Sequence, residues 1–254
     1  MNKTGVCEDY KDMFDAEFYL YFSEKMYLKE MMEKELQFII TRLAIKPEHS
    51  ILDLPCGFGK YTCILAERGY NVVGVDINPI FIQKAIDTAK VKGLTSKFLH
   101  SDMRKINFRK EFDFVLTLDT SFGYFQHHEN LLVLENVSRA LVKGGYFFVE
   151  LFNPYLSQLF DKGIKNCTAF DFDGNLLIDW RTYDQQQNRF KIKRVYIKNS
   201  VRKEAYIEIQ NYSIEQMKLF LNNVNLEVVD IYGGQKGRLY DESSNRLVII
   251  AKKK

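Results

Sequence analysis

The sequence predicts an α/β fold with a mostly parallel seven-stranded sheet, helices on both faces, and a small antiparallel β insertion after strand five. Between residues 50 and 152, short apolar segments alternate with helical segments, and this alternation is typical of βαβ units. The strands are almost entirely apolar, as expected for a sheet that is buried on both faces. Residues 155–210 instead contain long alternating segments without helices between them, which predicts an antiparallel meander.

Composition narrows the class of protein. Of 254 residues, 46% are hydrophobic and 27% charged, so apolar material is sufficient for a large core. No apolar segment approaches the roughly 18 residues of a membrane span, and the acidic, aromatic N-terminal segment does not resemble a signal peptide. The 4 cysteines form no C-x-x-C pair, so we expect reduced thiols in a cytoplasmic protein. A net charge of +3 does not by itself indicate nucleic-acid binding.

The elements follow in order. Residues 1–30 are rich in aromatic side chains, and we predict irregular structure there, whereas residues 31–43 place apolar side chains at helical spacing. Strands one to five are predicted at SILDL, NVVGVD, KFLHSD, FDFVLTLD and YFFVELF. Gly69 ends the helix after strand one. Asn78 and Pro79 are predicted to begin the helix after strand two as its N-cap and first residue.

The C-terminal half contains the remaining predicted strands and one further helix. The segments LLIDWRTYD, RFKIKRVYIK and KEAYIEIQNY predict the strands of the insertion, and LEVVDIYGG and RLVIIAKK predict two final strands. Ser213 and Gln216 predict a capping box at the start of a helix. We therefore divide the chain into an N-terminal segment and core at 1–154, the insertion at 155–210, and the end of the core sheet at 211–254.

The segment D-L-P-C-G-F-G, from Asp53 to Gly59, ends strand one and opens a helix. Its glycines allow a tight turn and a close approach to a ligand, at the sheet edge where open α/β sheets bind ligands. The dinucleotide-binding pattern G-x-G-x-x-G is only partly present, because Thr62 occupies the position of the third glycine.

Each of the first four predicted strands carries an aspartate at its end: Asp53, Asp76, Asp102 and Asp119. We expect these carboxylates at one edge of the sheet. Nucleotide-binding α/β proteins place an acid after strand two to accept the ribose hydroxyls, which makes Asp76 the candidate for that contact. Each aspartate also has an alternative interpretation as a helix N-cap or turn residue.

The D-L-P-C-G-F-G segment resembles the first motif of class I S-adenosylmethionine (SAM) dependent methyltransferases. The segments V-V-G-V-D-I, H-S-D-M and L-V-K-G-G-Y-F-F-V-E resemble the later motifs of that family in the same order. The resemblance covers residues 50–152 closely and the last two strands more loosely, with Pro55 in place of the usual glycine. It implies a Rossmann-like fold, SAM as cofactor and S-adenosylhomocysteine as product.

The resemblance also implies cofactor contacts. Asp76 would accept the ribose hydroxyls, Ile77 and Met103 would enclose the adenine, and Asp102 would bind its amino group. The remaining positions belong to the glycine-rich loop and to the end of strand four, nearest the methionine chain. The implied cofactor-binding residues are Asp53, Pro55, Cys56, Gly57, Gly59, Asp76, Ile77, Asp102, Met103, Leu118 and Asp119.

The segment from Thr120 to Phe125 resembles a bacterial subgroup of these enzymes that includes small-molecule and aminosugar N-methyltransferases. The resemblance implies an aromatic N-terminal lid over the cofactor, with Tyr21 as the predicted cofactor contact. The lid candidates are Tyr10, Phe18, Tyr19 and Tyr21. The alternative is that these rings only pack the N-terminal segment onto the sheet.

Methyl transfer needs mainly the alignment of its two partners, and a base only when the acceptor arrives protonated. The candidate bases are His127 and His128, with Tyr124 and Glu150 behind them, and we predict His127 and Tyr124 as catalytic. A surface helix that begins at the two histidines is the alternative interpretation.

We expect the acceptor site to be covered by the insertion. The predicted substrate-binding residues are Tyr124, Phe125, Trp180 and Arg181, with Tyr183 on the same wall. Trp180 could instead belong to the core of the insertion. We predict no metal site, because the spacing of the insertion's aspartates fits no cation-binding loop. These aspartates, Asp171, Asp173, Asp179 and Asp184, are predicted turn residues.

Residues 189–203 contain seven Lys or Arg side chains and no acid. A solvated strand face is one explanation, and contact with RNA phosphates is the other. We predict a cytoplasmic SAM-dependent methyltransferase, monomeric or homodimeric, that acts on an N or O atom of a small molecule without binding nucleic acid or membranes. The alternatives are an RNA (tRNA) methyltransferase that uses this basic strand, and a SAM- or NAD-binding module without catalysis.

Overall fold

The computed structural model describes residues 15–163, 166–234 and 237–254. Contacts divide the described residues into a core unit, 29–154 with 212–254, and an insertion unit, 155–211 with the N-terminal segment 15–28. The helices are α1 Ala16–Met26, α2 Lys29–Leu43, α3 Lys60–Glu67, α4 Pro79–Val91, α5 His127–Ala140, α6 Leu156–Asp161 and α7 Ile214–Asn223. The strands are β1 Ser50–Asp53, β2 Asn71–Asp76, β3 Lys97–His100, β4 Phe112–Thr117, β5 Leu141–Phe152, β6 Cys167–Phe172, β7 Asn175–Asp184, β8 Arg189–Lys198, β9 Val201–Gln210, β10 Leu226–Tyr232 and β11 Arg246–Lys253.

The core unit contains the predicted seven-stranded sheet, in the order β10-β11-β5-β4-β1-β2-β3. Strands β1 to β5 pair in parallel, while β11 is antiparallel to both β5 and β10. The order changes direction between β1 and β4, the kind of switch point where open α/β sheets bind ligands at the carboxyl ends of their strands. The fold prediction is confirmed, and it brings the ends of β1, β2 and β4 to one edge.

Local signals place the helices that follow these strands. The side chain of Asn78 accepts hydrogen bonds from the first amides of α4, with Pro79 as the first residue. Ser213 and Gln216 form the predicted capping box of α7. Central apolar side chains of the strands, among them Leu52 and Val115, are fully buried. The carboxyl edge is therefore held by a rigid, close-packed core.

The insertion unit contains an antiparallel sheet in the order β6-β7-β8-β9. Strand β6 and helix α6 were not predicted, and the prediction of irregular structure for residues 1–30 was wrong for α1. This helix begins after Asp15, whose side chain accepts a hydrogen bond from the Phe18 amide. Its Phe18 and Phe22 are buried in one cluster with Tyr196 of β8. Tertiary burial therefore determines a helix that sequence periodicity did not reveal.

The structure groups the N-terminal segment with the insertion, whereas the sequence suggested grouping it with the core. Within residues 15–163, 166–234 and 237–254, no helix is long and apolar enough to span a membrane.

Candidate functional site

The loop between β1 and α3 is fixed by backbone contacts to neighbouring strands. The Cys56 amide donates to the Val75 carbonyl at 2.9 Å, and the Gly57 amide donates to Oδ2 of Asp76 at 2.9 Å. Cys56 packs so closely against Gly74 that a Cβ there would lie 2.9 Å from its Sγ. The buried thiol of Cys56 thus acts as a packing element that holds the loop against β2.

The two loop glycines differ in their surroundings. Gly57 has φ +55° and a Cβ at that position would meet nothing within 4 Å. Gly59 has φ +79°, and its Cβ would lie 2.7 Å from Cβ of Ala85 and 2.8 Å from the Phe98 ring. Gly59 therefore permits close packing of the loop on α4 and β3, while Gly57 leaves open a cradle that fits the passage of a bound ligand beside the backbone.

Asp76, at the end of β2, is held through both carboxylate oxygens. Oδ2 accepts the Gly57 amide and Oδ1 accepts the Asn78 amide at 2.8 Å. Burial raises the pKa of Asp76 to about 6, against the opposing effect of these backbone donors. These bonds hold the carboxylate toward the loop. Each of its oxygens can still accept a further hydrogen bond, so the pair can bind two hydroxyl groups.

Beside Asp76 lies a small cavity whose wall combines residues from three strand ends. It is lined by Leu54, Pro55, Val75, Asp76, Ile77, Ser101, Asp102, Met103 and Phe125. Five residues that we predicted to contact the cofactor thus lie together here. Their apolar side chains and carboxylates suit a purine nucleoside, because ligand pockets combine apolar walls with a few polar groups. Phe125 also lies on this wall, and its predicted contact with the acceptor stays a prediction. Its backbone is held on both sides by buried Asn130 (Phe125 N to Oδ1 3.3 Å, Nδ2 to Phe125 O 3.0 Å).

Asp102 has a partner that the sequence analysis missed. The side chain of Arg104 donates to both carboxylate oxygens, Nε at 3.1 and 3.0 Å and Nη2 at 2.6 Å. Its Nη1 donates to Glu129 at the start of α5, and its guanidinium lies 4.2 Å from the centroid of the Phe125 ring. The position of Arg104 directly after the H-S-D-M segment was the only local signal for it.

Asp53 is buried at the end of β1, where Thr62 Oγ1 donates to its Oδ2 at 2.6 Å. Burial raises the pKa of Asp53 to about 7, although the Thr62 hydrogen bond acts in the opposite direction. Asp53 is thus a structural link between β1 and α3, and a contact to the cofactor ammonium through loop amides or water stays a prediction.

The end of β4 carries a strained turn and a group of charges. Asp119 and Thr120 have φ values of +53° and +56°, a left-handed conformation that is strained for non-glycine residues and must be held by its surroundings. Asp119 pairs with Lys60, lies 3.2 Å from the Tyr61 hydroxyl, and donates its amide to Glu150 Oε2 at 3.1 Å. The preceding Leu118 is buried.

Glu150 is the buried member of this group. Burial raises the pKa of Glu150 to about 7, while the ion pair of its Oε1 with Arg246 Nε at 3.1 Å lowers it. The Tyr61 hydroxyl donates to Glu35 at 2.7 Å. None of Lys60, Tyr61, Glu35 and Arg246 was predicted, because they come from separate segments that only the fold brings together.

The candidate bases lie at the start of α5. His127 is exposed, with Nδ1 3.3 Å from the Tyr212 hydroxyl and its ring centroid 5.1 Å from that of Phe220. His128 is exposed and Tyr124 is half-buried. The structure places His127 against α7 rather than on the cavity wall. The catalytic roles of His127 and Tyr124 stay predictions.

The candidates of the insertion unit do not form one wall. Neighbouring residues of a strand face opposite sides, so Trp180 of β7 lies on the face opposite to Arg181 and Tyr183. Trp180 is 41% exposed. Arg181 is bonded to Asp179 at 3.1 Å and to Thr168 at 2.9 Å. The prediction that Trp180, Arg181 and Tyr183 line one wall together was therefore wrong.

The N-terminal candidates have partners within the insertion unit. The hydroxyl of Tyr21 accepts a hydrogen bond from Asn175 at 2.9 Å, and Lys198 lies 4.8 Å from its ring centroid. Phe18 is buried against Tyr196. Tyr10 lies outside the described residues. Packing on the insertion sheet accounts for these contacts, and a contact of Tyr21 with the cofactor stays a prediction.

The aspartates of the insertion have structural roles. Asp171 and Asp184 accept backbone amides in turns, from Gly174 at 2.8 Å and Gln187 at 3.0 Å. Asp179 is buried and pairs with arginines of β7 and β8. Among the residues that the structure describes, no group of three or more His, Cys, Asp or Glu side chains is arranged to hold a metal ion.

Comparisons with known proteins agree with this geometry. A family model described as a methyltransferase domain matches residues 51–145. The cypemycin N-terminal methyltransferase of Streptomyces is 23% identical over 79% of this chain and 82% of that protein. The glycine/sarcosine N-methyltransferase of Aphanothece halophytica is 22% identical over 86% of this chain and 82% of that protein.

Among solved structures, an S-adenosylmethionine-dependent methyltransferase from Clostridium acetobutylicum shares the fold. Its TM-score is 0.77 at 19% identity, over 94% of this chain and 97% of that chain. The motif order, the aspartates at the carboxyl edge, the open cradle at Gly57 and these similarities lead to one conclusion. The chain carries a methyltransferase domain over residues 51–145 and shares the fold of SAM-dependent methyltransferases.

Proposed function

We propose that this methyltransferase acts on a small molecule, at an amine nitrogen or a hydroxyl oxygen. Two relatives of similar length support this proposal, because their names specify the N-terminus of cypemycin and the nitrogen of glycine or sarcosine. The main observation in its support is that Lys and Arg side chains of the basic strand are paired with carboxylates. An unpaired cationic strand was the main argument for an RNA substrate.

Carboxylates of the same unit neutralise the basic strand. Lys191 pairs with Asp184 at 2.9 Å, and buried Asp179 holds Arg194 at 2.7 Å. The further pairs are Lys191–Glu208, Lys193–Glu204, Lys198–Glu17, Arg202–Glu204 and Lys203–Asp15. RNA phosphates would have to displace these partners, and the net gain from phosphate contacts would be small. The pairing of this basic strand with carboxylates of its own unit favours the small-molecule proposal.

The core unit can hold the cofactor with its own residues. We propose that Ile77, Met103 and Phe125 enclose the adenine, that Asp102 accepts its amino group, and that Asp76 accepts the ribose hydroxyls. The bound sulfonium supplies an already activated methyl group. The chain's main contribution is then to align the acceptor, an effect that can be worth roughly 7–11 kcal/mol.

An ammonium acceptor must lose a proton before its lone pair can react. His127 and Tyr124 are our proposed residues for this step. Glu150 is a second candidate, because its pKa near 7 suits proton exchange at neutral pH. Its bond to the Asp119 amide connects it to the strained end of β4. A pH–rate profile of His127→Asn beside Glu150→Gln distinguishes the two, since only the variant without the base loses the acidic limb.

Methyl transfer from labelled SAM to three pools tests the proposal: small amines, small hydroxyl compounds and tRNA. We expect incorporation into one of the small-molecule pools, with a shallow dependence on salt from about 50 to 200 mM. Incorporation into tRNA with a steep salt dependence, abolished in Lys191→Ala/Lys193→Ala, would favour the RNA alternative. Tight S-adenosylhomocysteine binding without transfer to any pool would favour a module without catalysis.

A further inference from the structure

Arg104 connects two segments of the cavity wall. Its side chain donates hydrogen bonds to both carboxylate oxygens of Asp102, which follows β3: Nε to Oδ1 and Nη2 to Oδ2. Its other terminal nitrogen binds Glu129, and the second carboxylate oxygen of Glu129 accepts the Gln126 amide at 3.2 Å. The same guanidinium covers the Phe125 ring. One side chain thus fixes an acid and an aromatic ring of the same cavity.

The ion pair with Arg104 determines the direction in which the Asp102 carboxylate points. The Arg104 amide also donates to Oδ1 of Asp102 at 2.8 Å, so the carboxylate is held in a local turn as well as by the fork. The side chain of Asp102 is only 8% exposed and that of Arg104 only 19%. Without a cationic partner a buried carboxylate is left with an uncompensated charge, which favours a different orientation of its side chain. A planar fork restrains both oxygens, whereas a lysine ammonium would not.

We propose that Arg104 is a positioning residue for recognition of the purine ring: it fixes the Asp102 carboxylate against the Phe125 wall so that the cavity selects a base with an amino donor. The inference rests on the proposed contact between Asp102 and the adenine of the cofactor. Glu129 supports the arrangement from α5 by holding the opposite end of the guanidinium.

The readout is selectivity between two ligands that differ at one purine position. S-adenosylhomocysteine presents an amino donor there, and S-inosylhomocysteine presents a carbonyl oxygen that would face the carboxylate. We expect the wild-type protein to prefer the adenosyl ligand by about tenfold or more in calorimetry, the worth of one hydrogen bond to a charged group. An arginine that only stabilised the fold would affect both ligands alike.

The variants are Arg104→Met, which removes the charge, and Arg104→Lys, which keeps the charge without the fork. In both variants, we expect the preference for S-adenosylhomocysteine over S-inosylhomocysteine to fall to about threefold or less, because the affinity for S-adenosylhomocysteine decreases. Arg109→Met, at an exposed arginine a few residues further on, is the matched control and should keep the preference. Glu129→Gln should reduce it in part, and it serves as the second variant if Arg104→Met does not fold.

Three outcomes would overturn the inference. Equal weakening of both ligands in Arg104→Met, with the preference intact, would assign Arg104 a purely structural role. Wild-type binding of S-adenosylhomocysteine without any preference would show that Asp102 does not recognise the amino group, while the proposed methyltransferase function would stand. Failure of the wild-type protein to bind S-adenosylhomocysteine at all would overturn the cofactor site and this inference together.

Discussion

Thr62 donates a hydrogen bond from its hydroxyl to the buried carboxylate of Asp53, at 2.6 Å, across the turn that joins β1 to α3. In dinucleotide-binding proteins the third glycine of the fingerprint allows the helix to pack closely on the strand. Here a fully buried threonine takes that position, and its side chain connects helix to strand through a carboxylate. The departure from the dinucleotide pattern is therefore a structural feature of this loop, in agreement with a different cofactor.

Asp53 makes the stability of the cofactor-free protein depend on pH. Because the pKa of Asp53 is about 7 in the folded protein, above its unfolded value near 4, the folded state binds the proton more tightly. Its contribution to stability is therefore lost as the pH rises from about 4 to 7. We expect Asp53→Asn to gain stability over wild type between pH 5 and pH 8, by on the order of 2–4 kcal/mol.

Urea unfolding at several pH values measures this difference. Thr62→Val is the matched variant: it removes the donor that favours the ionised carboxylate, so its loss of stability should be larger at pH 8 than at pH 5. Parallel stability curves for wild type and Asp53→Asn would contradict the assignment of a raised pKa to Asp53.

The two loop glycines should respond differently to the same substitution. Gly57→Ala places a methyl group in open space at φ +55° and should cost only about 1–2 kcal/mol of stability. Gly59→Ala adds contacts of 2.7 and 2.8 Å to Ala85 and Phe98 and should cost at least about 3 kcal/mol. For binding of S-adenosylhomocysteine by folded protein, Gly57→Ala should be the more damaging, since its methyl group fills the cradle.

Chemical denaturation and calorimetry on both variants check this prediction. The same rank order for stability and for binding would mean that Gly57 does not adjoin the cofactor.

Predictions from the sequence succeeded where the signal is local. The capping residues Asn78 and Ser213, and the apolar segments that end in aspartate, depend on short-range patterns. Helix α1 was missed because its order depends on burial of Phe18 and Phe22 among residues of the insertion sheet, far along the chain. Long-range burial of this kind leaves a weak signal in the sequence.

The candidate site shows the same limit. Phe125 follows β4, and its place in the sequence suggested the acceptor side. The fold places it on the wall of the cavity that Ile77 also lines, and Asn130 fixes its backbone by accepting from the Phe125 amide and donating to the Phe125 carbonyl. Arg104 and Glu129 lie 25 residues apart, so no spacing rule could pair them.

Asp76 should govern both the affinity and the pH dependence of cofactor binding. Asp76→Ala should weaken S-adenosylhomocysteine by roughly 1.5–3 kcal/mol, the usual worth of hydrogen bonds to a charged group. Because the pKa of Asp76 is about 6 in the free protein, the wild-type affinity should fall as the pH drops below about 6, where the carboxyl loses its charge. Asp76→Asn should bind weakly at every pH and lose this dependence.

Calorimetry from pH 5 to pH 8 measures both effects. Wild-type affinity in Asp76→Ala would show that another group binds the ribose. NAD should give no detectable heat in the same titrations, and tight NAD binding would contradict the cofactor assignment.

Acceptor specificity is our last prediction, and we test it separately at one residue of each predicted segment, Trp180 of the insertion and Tyr124 of the loop at 120–128. Trp180 exposes 41% of its surface on one face of the insertion sheet, next to Lys193 of β8 and opposite Cys167 of β6. Its ring offers a ligand an apolar face and an N–H donor. With an acceptor identified as above, Trp180→Ala and Tyr124→Phe should lower turnover or acceptor affinity about tenfold, the worth of about 1.4 kcal/mol, while S-adenosylhomocysteine binding stays nearly intact.

Arg181→Met is the control for Trp180→Ala, because it alters the neighbouring residue on the opposite face of β7. It removes a partner of buried Asp179 and should reduce thermal stability, whereas Trp180→Ala should leave the melting temperature almost unchanged. Steady-state kinetics, calorimetry and melting curves on the three variants separate these effects. Lost cofactor binding with unchanged acceptor kinetics in Trp180→Ala and Tyr124→Phe would place the acceptor pocket elsewhere. The aromatic segment around Tyr19 and Tyr21 would then be the next to mutate, because its rings belong to the same unit as the insertion sheet.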